Sequence, residues 1–227
     1  MELQIKNLRK IFRTDSVQTV ALNNVSFTVA DGSFVAIMGP SGCGKSTLLN
    51  ILGLLDNPTD GEYLLGGERV DNLKESQRTR YRRGRIGFIF QSFNLIEDMN
   101  IRDNIMLPLN NLPLSSQEKK DRVNKAMERM GIAHRANHHP SQLSGGQQQR
   151  AAIARAIVAH PGLILADEPT GNLDSKNGLE VMELLSELHR EGATVIMVTH
   201  SQRDATYADR VINLFDGSIV ENLNDKL

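Results

Sequence analysis

Two kinds of hydrophobic spacing divide the chain. Near its start, "LQIKNLRKIF" and "NNVSFTVADG" alternate apolar with polar residues, with Val25, Phe27 and Val29 on one face and a turn at Asp31-Gly32. That is the period of half-buried, local antiparallel strands. Further on, four short runs, "FVAIMG", "IGFIFQ", "LILADE" and "VIMVTH", are apolar without alternation, which suits strands buried on both faces of a parallel sheet. Between the second and third of these runs the texture changes. "SSQEKKDRVNKAMERMGI" has helical spacing at Val123, Ala126, Met127 and Met130, and "LSGGQQQR" opens another helix through "AAIARAIVAHP". A short helix and a hairpin around Asp216-Gly217 follow the last run. The pattern predicts one α/β domain over residues 1–227, with an antiparallel β subdomain, a parallel-sheet core at 1–91 and 160–227, and a mostly helical insertion at 92–159.

Each apolar run ends in a residue capable of chemistry: Gly39 leading to Lys45, then Gln91, Asp167 with Glu168, and His200. Ligands of open α/β sheets bind beyond the carboxyl ends of the strands, so the four endings are expected to converge. The first is the most specific. "GPSGCGKST", Gly39 to Thr47, fits G-x-x-x-x-G-K-[ST] between a predicted strand and the apolar helix "TLLNILGLL". Gly39, Ser41, Gly42, Cys43, Gly44 and Thr47 would wrap a phosphate with backbone N–H groups. Lys45 would reach the outer phosphates and the Ser46 hydroxyl would ligate Mg²⁺. A nucleoside triphosphate is the implied ligand. Asp167 would hold the metal through water, and Glu168, one residue on, is suited to polarise an attacking water, which makes the chain a hydrolase. From neighbouring strand ends, Gln91 would reach the metal and the water, and His200 the γ-phosphate.

Charge and cysteine content narrow the partners. With 26 basic and 27 acidic side chains the net charge is −1, so nothing draws the chain generally toward nucleic acid. "RTRYRRGR", Arg78 to Arg85, reads as a solvated helix face and is assigned no site. His134, His138, His139, His160 and His189 have no motif around them. The lone Cys43 precludes an intrachain disulfide. Its place at a helix N-terminus predicts a depressed thiol pKa, the alternative being a merely small residue. No apolar run reaches about 18 residues and no leader is evident, so a cytosolic location is expected, with any membrane connection made through a partner.

The glycine pair of "LSGGQQQR" offers a second phosphate site at a helix start, Ser144, Gly145 and Gly146, in a chain whose phosphate loop already wraps one nucleotide. Two chains arranged head to tail would bury two nucleotides between them. Gly146→Asp is then expected to block closure while sparing nucleotide binding by one chain.

In this order, "GPSGCGKST", Gln91, "LSGGQQQR", "LILADEPT", "NLDS" and "VTH" resemble the ABC-type ATPases over nearly the whole chain. "IGFIFQSFNLIEDMNIRDNIMLPL" and "ADEPTGNLDS" are similar to the subgroup that serves macrolide export and lipoprotein release and that includes the cell-division ATPase FtsE. The resemblance implies a P-loop NTPase with a RecA-like core and a homodimer around two ATP and Mg²⁺. Ser144, Gly146 and Gln147 would contact the partner's γ-phosphate, Asp174 would communicate across the dimer, Gln91 would be the Q-loop residue and His200 the switch histidine. It also implies a separate transmembrane permease, with or without an adaptor protein, that holds the chain peripherally at the inner membrane. The permease's cytoplasmic helix would dock near Gln91 to Met99, where Phe93, Leu95, Ile96 and Met99 suit either that contact or loop packing. Phe12 stands where the family usually stacks a tyrosine on adenine, the alternative being a core phenylalanine. ATP is the expected substrate, with GTP tolerated. A mechanical switch of the FtsE type and a soluble ABC ATPase remain alternatives to the exporter.

Overall fold

The computed structural model describes residues 1–13 and 17–221, and these fall into two compact units: 1–82 with 188–227, and 83–187. In the first unit the alternating segments pair as expected. β1 (Leu3–Arg13) lies between β2 (Gln18–Val29) and β4 (Asp60–Leu65), with β5 (Glu68–Arg69) beyond, all antiparallel. Leu3, Ile5, Leu22, Val25, Phe27, Val29, Tyr63 and Leu65 point inward. Tyr63 is fully buried, and its hydroxyl donates to the Leu52 carbonyl at 2.7 Å, which spares the ring the penalty of an unsatisfied polar tip.

The same unit holds β3 (Phe34–Met38), which runs parallel to β8 (Thr194–Thr199) on one side and to β9 (Arg210–Phe215) on the other. β9 turns back into β10 (Ser218–Val220) at Asp216-Gly217. The hairpin is therefore as expected, but its first strand is also a parallel neighbour of β3. Pattern missed this because "RVINLF" alternates in burial, with Ile212 and Leu214 in and Arg210 and Val211 out, unlike a strand covered on both faces. The helices of this unit are α1 (Lys45–Leu52), α2 (Glu75–Arg82) and α7 (Gln202–Ala205). α2 has no fully buried residue, yet it is not simply a solvated face: the Tyr81 hydroxyl donates to the Leu65 carbonyl at 2.7 Å and the Arg82 guanidinium to the Leu54 carbonyl.

In the second unit β6 (Ile86–Ile89) runs parallel to β7 (Leu163–Asp167). Between them come α3 (Ile101–Met106), α4 (Ser116–Arg129) and α5 (Gly145–Ile157). α4 begins with a reciprocal Ser115/Glu118 capping box and buries Val123, Ala126 and Met127, the amphipathic stripe its spacing predicts. α6 (Ser175–Arg190) starts in this unit and ends in the first. Fully buried Asn104 organises the loop after β6: its Oδ1 accepts from the Ile96 N–H at 2.7 Å, and its Nδ2 donates to the carbonyls of Ile96, Met99 and Asn100. At about 0.5–1.5 kcal/mol net per bond, this one side chain gives an irregular segment a fixed shape. Among the described residues no helix is long and apolar enough to cross a membrane.

Candidate functional site

In the first unit the phosphate loop is walled by distant segments. Gly44 caps α1 with φ 104°, and a Cβ there would collide with the Ala21 carbonyl of β2 and press on the Leu22 side chain, so only glycine fits. A Cβ on Gly39 would collide with the Leu214 carbonyl of β9 and lie 2.6 Å from the Cys43 sulfur. The Gly217 N–H donates to the Cys43 carbonyl at 3.0 Å, so the β9–β10 turn holds the loop's backbone. Lys45, 7% exposed, donates from Nζ to the carbonyls of Gly39 and Pro40, both at 2.8 Å. Ser41, Gly42 and Ser46 are exposed and Thr47 is half-buried.

Cys43 departs from expectation. It is buried beneath this loop, and burial pushes its thiol up from 9.0 despite the lowering effect of Lys45 beside it. Desolvation outweighs the helix start.

Parallel register sets Met38 opposite Thr199, so the phosphate loop and His200 leave neighbouring strands at the same end. His200 is exposed, and Ser201 after it caps α7 by accepting from the Asp204 N–H. Phe12 lies opposite Thr19 on the β1–β2 ladder, two residues from the Ala21 that borders Gly44. It is 46% exposed with the Lys10 ammonium 5.0 Å from its ring centre, so the core alternative falls away. This unit thus brings Phe12, residues 39–47 and His200 into one neighbourhood.

The second unit gathers the other candidates. Ile89 pairs with Ala166, so Gln91 and the Asp167–Glu168 pair follow side by side. Glu168 has φ 43°, a left-handed backbone that a non-glycine residue adopts only under constraint from its surroundings. One such constraint is the Gly171 N–H, which donates to the Glu168 carbonyl at 3.0 Å. Gln149 of α5, fully buried, also reaches this turn, donating from Nε2 to the Pro169 carbonyl at 2.6 Å.

The glycine pair has a double explanation. α5 starts with a reciprocal capping box: the Gln147 N–H donates to Ser144 Oγ at 3.4 Å, and the Ser144 N–H donates to Gln147 Oε1 at 3.2 Å. Gly145 has room, its nearest neighbours being ordinary contacts at 3.8–3.9 Å. Gly146 has none: a Cβ there would overlap the Asn177 carboxamide, 2.6 Å from its Cγ. Gly146→Asp would therefore disturb the chain's own packing, and its effect would not be confined to closure. Asn177 in turn holds Asp174 through its main-chain N–H at 2.9 Å and its Nδ2 at 2.7 Å, which keeps the Asp174 carboxyl below the usual carboxylate range. Gln149 and Asn172 fall within "LSGGQQQR" and "NLDS" but carry no expected role, and Asn177 falls outside the motifs. Gln149 is also marked as a polar residue on the otherwise buried Gly146–Ile153–Ala156 stripe of α5.

Of the apolar residues after Gln91, Ile96 is exposed, while Phe93, Leu95 and Met99 are half-buried. Arg155 holds the Phe93 and Asn94 carbonyls. Beside them is a cavity of about 270 Å³ lined by Phe88, Phe90, Asn94, Pro108 and Arg155, the two phenylalanine rings stacked 5.5 Å apart.

A family model described as ABC transporter matches residues 22–171. An uncharacterised ABC transporter ATP-binding protein of Methanocaldococcus jannaschii is 49% identical over 222 residues, covering 98% of this chain and 99% of that protein. The macrolide export ATP-binding/permease protein MacB of Chlorobaculum tepidum is 47% identical over 97% of this chain, which spans 34% of MacB's length. Among solved structures, the ATP-binding cassette MJ0796, described as a dimeric post-hydrolysis state bound to ADP and Pi, superposes with a TM-score of 0.89 at 43% identity over 97% of each chain.

Proposed function

This chain belongs to the ABC transporter family as one of its ATPases, and from that membership we propose that it closes as a homodimer on two ATP molecules to drive a separate membrane permease in an export or extrusion system. The observation that carries the reading is a pair of glycine-opened helix starts, α1 at Gly44 and α5 at Ser144, in two different compact units. One nucleotide occupies the first, and the second is left to serve the nucleotide of another copy. The dimeric state of MJ0796 supports this arrangement, and the likeness to MacB supports an export role.

The steps follow from the side chains. On ATP binding, Lys45 exchanges the Gly39 and Pro40 carbonyls for phosphate oxygens, which form stronger, charge-assisted bonds. The exposed Phe12 ring stacks on the base, worth about 1–3 kcal/mol and tolerant of guanine. Oxygen donors from Ser46, Gln91 and Asp167 suit magnesium, which would neutralise phosphate charge when bound. Glu168 takes a proton from the attacking water as it adds to the γ-phosphorus, the bond to the bridging oxygen breaks, and ADP and inorganic phosphate result. His200 bonds the γ-phosphate, and Asp174 with the Ser144, Gly146 and Gln147 helix start faces the partner. The segment 92–159 serves as the helical subdomain, and the cavity beside Phe88 and Phe90 receives the permease helix. The permease thereby holds the chain at the inner face of the cell membrane.

Glu168→Gln tests the reading. The variant is expected to bind ATP, sediment as an ATP-dependent dimer and lose about 10²-fold or more in turnover. Hydrolysis at the parental rate, or a strictly monomeric ATP-bound variant, refutes it.

A further inference from the structure

The turn between Glu168 and Asp174 grips Gln91 from two directions. Asn172 Nδ2 donates to the Gln91 main-chain carbonyl at 3.0 Å, and Gln91 Nε2 donates to Asn172 Oδ1 at 3.4 Å. Gly171 leaves the space in which the Gln91 carboxamide lies, since a Cβ there would be 2.6 Å from Nε2. These residues belong to the same compact unit.

The polarity of this grip follows from which atoms can donate. A main-chain carbonyl only accepts, so Asn172 must turn Nδ2 toward Gln91 O. Its Oδ1 is then the atom presented to the Gln91 side chain, and Oδ1 also only accepts. Gln91 must meet it with Nε2. An amide nitrogen has no lone pair for a hard cation, whereas the amide oxygen does. A glutamine at a strand end, with its own rotamers and an amide that can flip, would otherwise present either atom.

We propose that Asn172 is a positioning residue that fixes the amide polarity of Gln91, turning Nε2 onto Asn172 and leaving Oε1 as the atom that ligates a divalent cation. The inference rests on the proposed reading of Gln91 as a metal ligand, and it adds what makes that ligand competent before nucleotide arrives. The left-handed Glu168 begins the same turn, so one short segment sets both the proton acceptor and the orientation of the amide.

Two measurements test it. In nucleotide-free protein, the two Gln91 side-chain amide resonances are expected to show the ¹⁵N relaxation of an ordered group, and in Asn172→Ala that of a mobile side chain, the slow C–N rotation keeping the two protons distinct in both. Gly171→Ala, which crowds Nε2 with Asn172 intact, is expected to displace the same resonances. In the ATPase assay, Asn172→Ala is expected to raise the Mg²⁺ concentration for half-maximal rate about three- to tenfold. In a Gln91→Ala background the same change should have no further effect. A Gln91 amide as ordered in Asn172→Ala as in the parent overturns the proposal, and so does an equal Mg²⁺ shift without Gln91. If Gln91→Ala alone leaves the Mg²⁺ midpoint unmoved, the ligand role itself fails, while the resonances of the nucleotide-free protein still decide whether Asn172 orients the amide.

Discussion

Gly146→Ala is expected to change the sign of its effect with the identity of residue 177. Within a helix, alanine is favoured over glycine by up to about 1 kcal/mol. Here the new methyl would lie 2.6 Å from Asn177 Cγ, and Asn177 cannot retreat freely because its Nδ2 donates to Asp174 at 2.7 Å. Giving up that bond costs about 0.5–1.5 kcal/mol, and residual crowding in a buried slot about 1–3 kcal/mol. Less the propensity gain, the substitution should destabilise by roughly 0.5–3.5 kcal/mol. In an Asn177→Gly background both the carboxamide and the Cβ that would lie 3.3 Å away are gone, and the same substitution should stabilise by about 0.5–1 kcal/mol. Urea unfolding of the nucleotide-free chain, comparing midpoints at unchanged slope, reads the four corners of the cycle. Equal effects in both backgrounds would mean that Gly146 is required for some reason other than Asn177, and the packing argument would fail.

Other outcomes follow from the same geometry. Gly145→Asp, placed where a side chain fits, is expected to leave ATP binding by the monomer intact and abolish the ATP-dependent dimer; a normal dimer in sedimentation contradicts the role of α5. Cys43 should react slowly with maleimides at neutral pH and faster as pH rises above 9.0; labelling at pH 7 at the rate of a free thiol shows that burial does not govern it. Because its folded pKa is raised, the Cys43 contribution to stability is complete below its unfolded value and is lost as pH climbs through the folded one. Phe12→Ala should weaken ATP and GTP binding alike, about 5- to 150-fold, and nucleotide titrations that show loss of ATP alone would rule out simple stacking.

The strands and the amphipathic helices were legible because burial imposes a period: alternation gave β1 and β2, unbroken apolar runs gave β3, β6, β7 and β8, and the Val123–Ala126–Met127 stripe gave α4. The strand, loop and helix around "GPSGCGKST" were legible because the motif G-x-x-x-x-G-K-[ST] demands that context. What stayed hidden depends on approach between segments far apart in the chain. Nothing local marks Asn172 as the partner of Gln91 or Asn177 as the reason for Gly146, since asparagine in a turn is ordinary. The thiol of Cys43 was misjudged for a related reason: a helix start can be read from sequence, and the depth of burial that outweighs it cannot.

Gly39 rests against the Leu214 carbonyl, and Gly217 holds the backbone of Cys43. A ribosome that has just made the nucleotide cradle has therefore not yet made its wall. Nascent chains ending before β9 should show no affinity for ATP even with the motif complete, so the order of synthesis itself keeps an unfinished motor from engaging its fuel. Tight ATP binding by a chain stopped at Ala205 would show the wall to be dispensable.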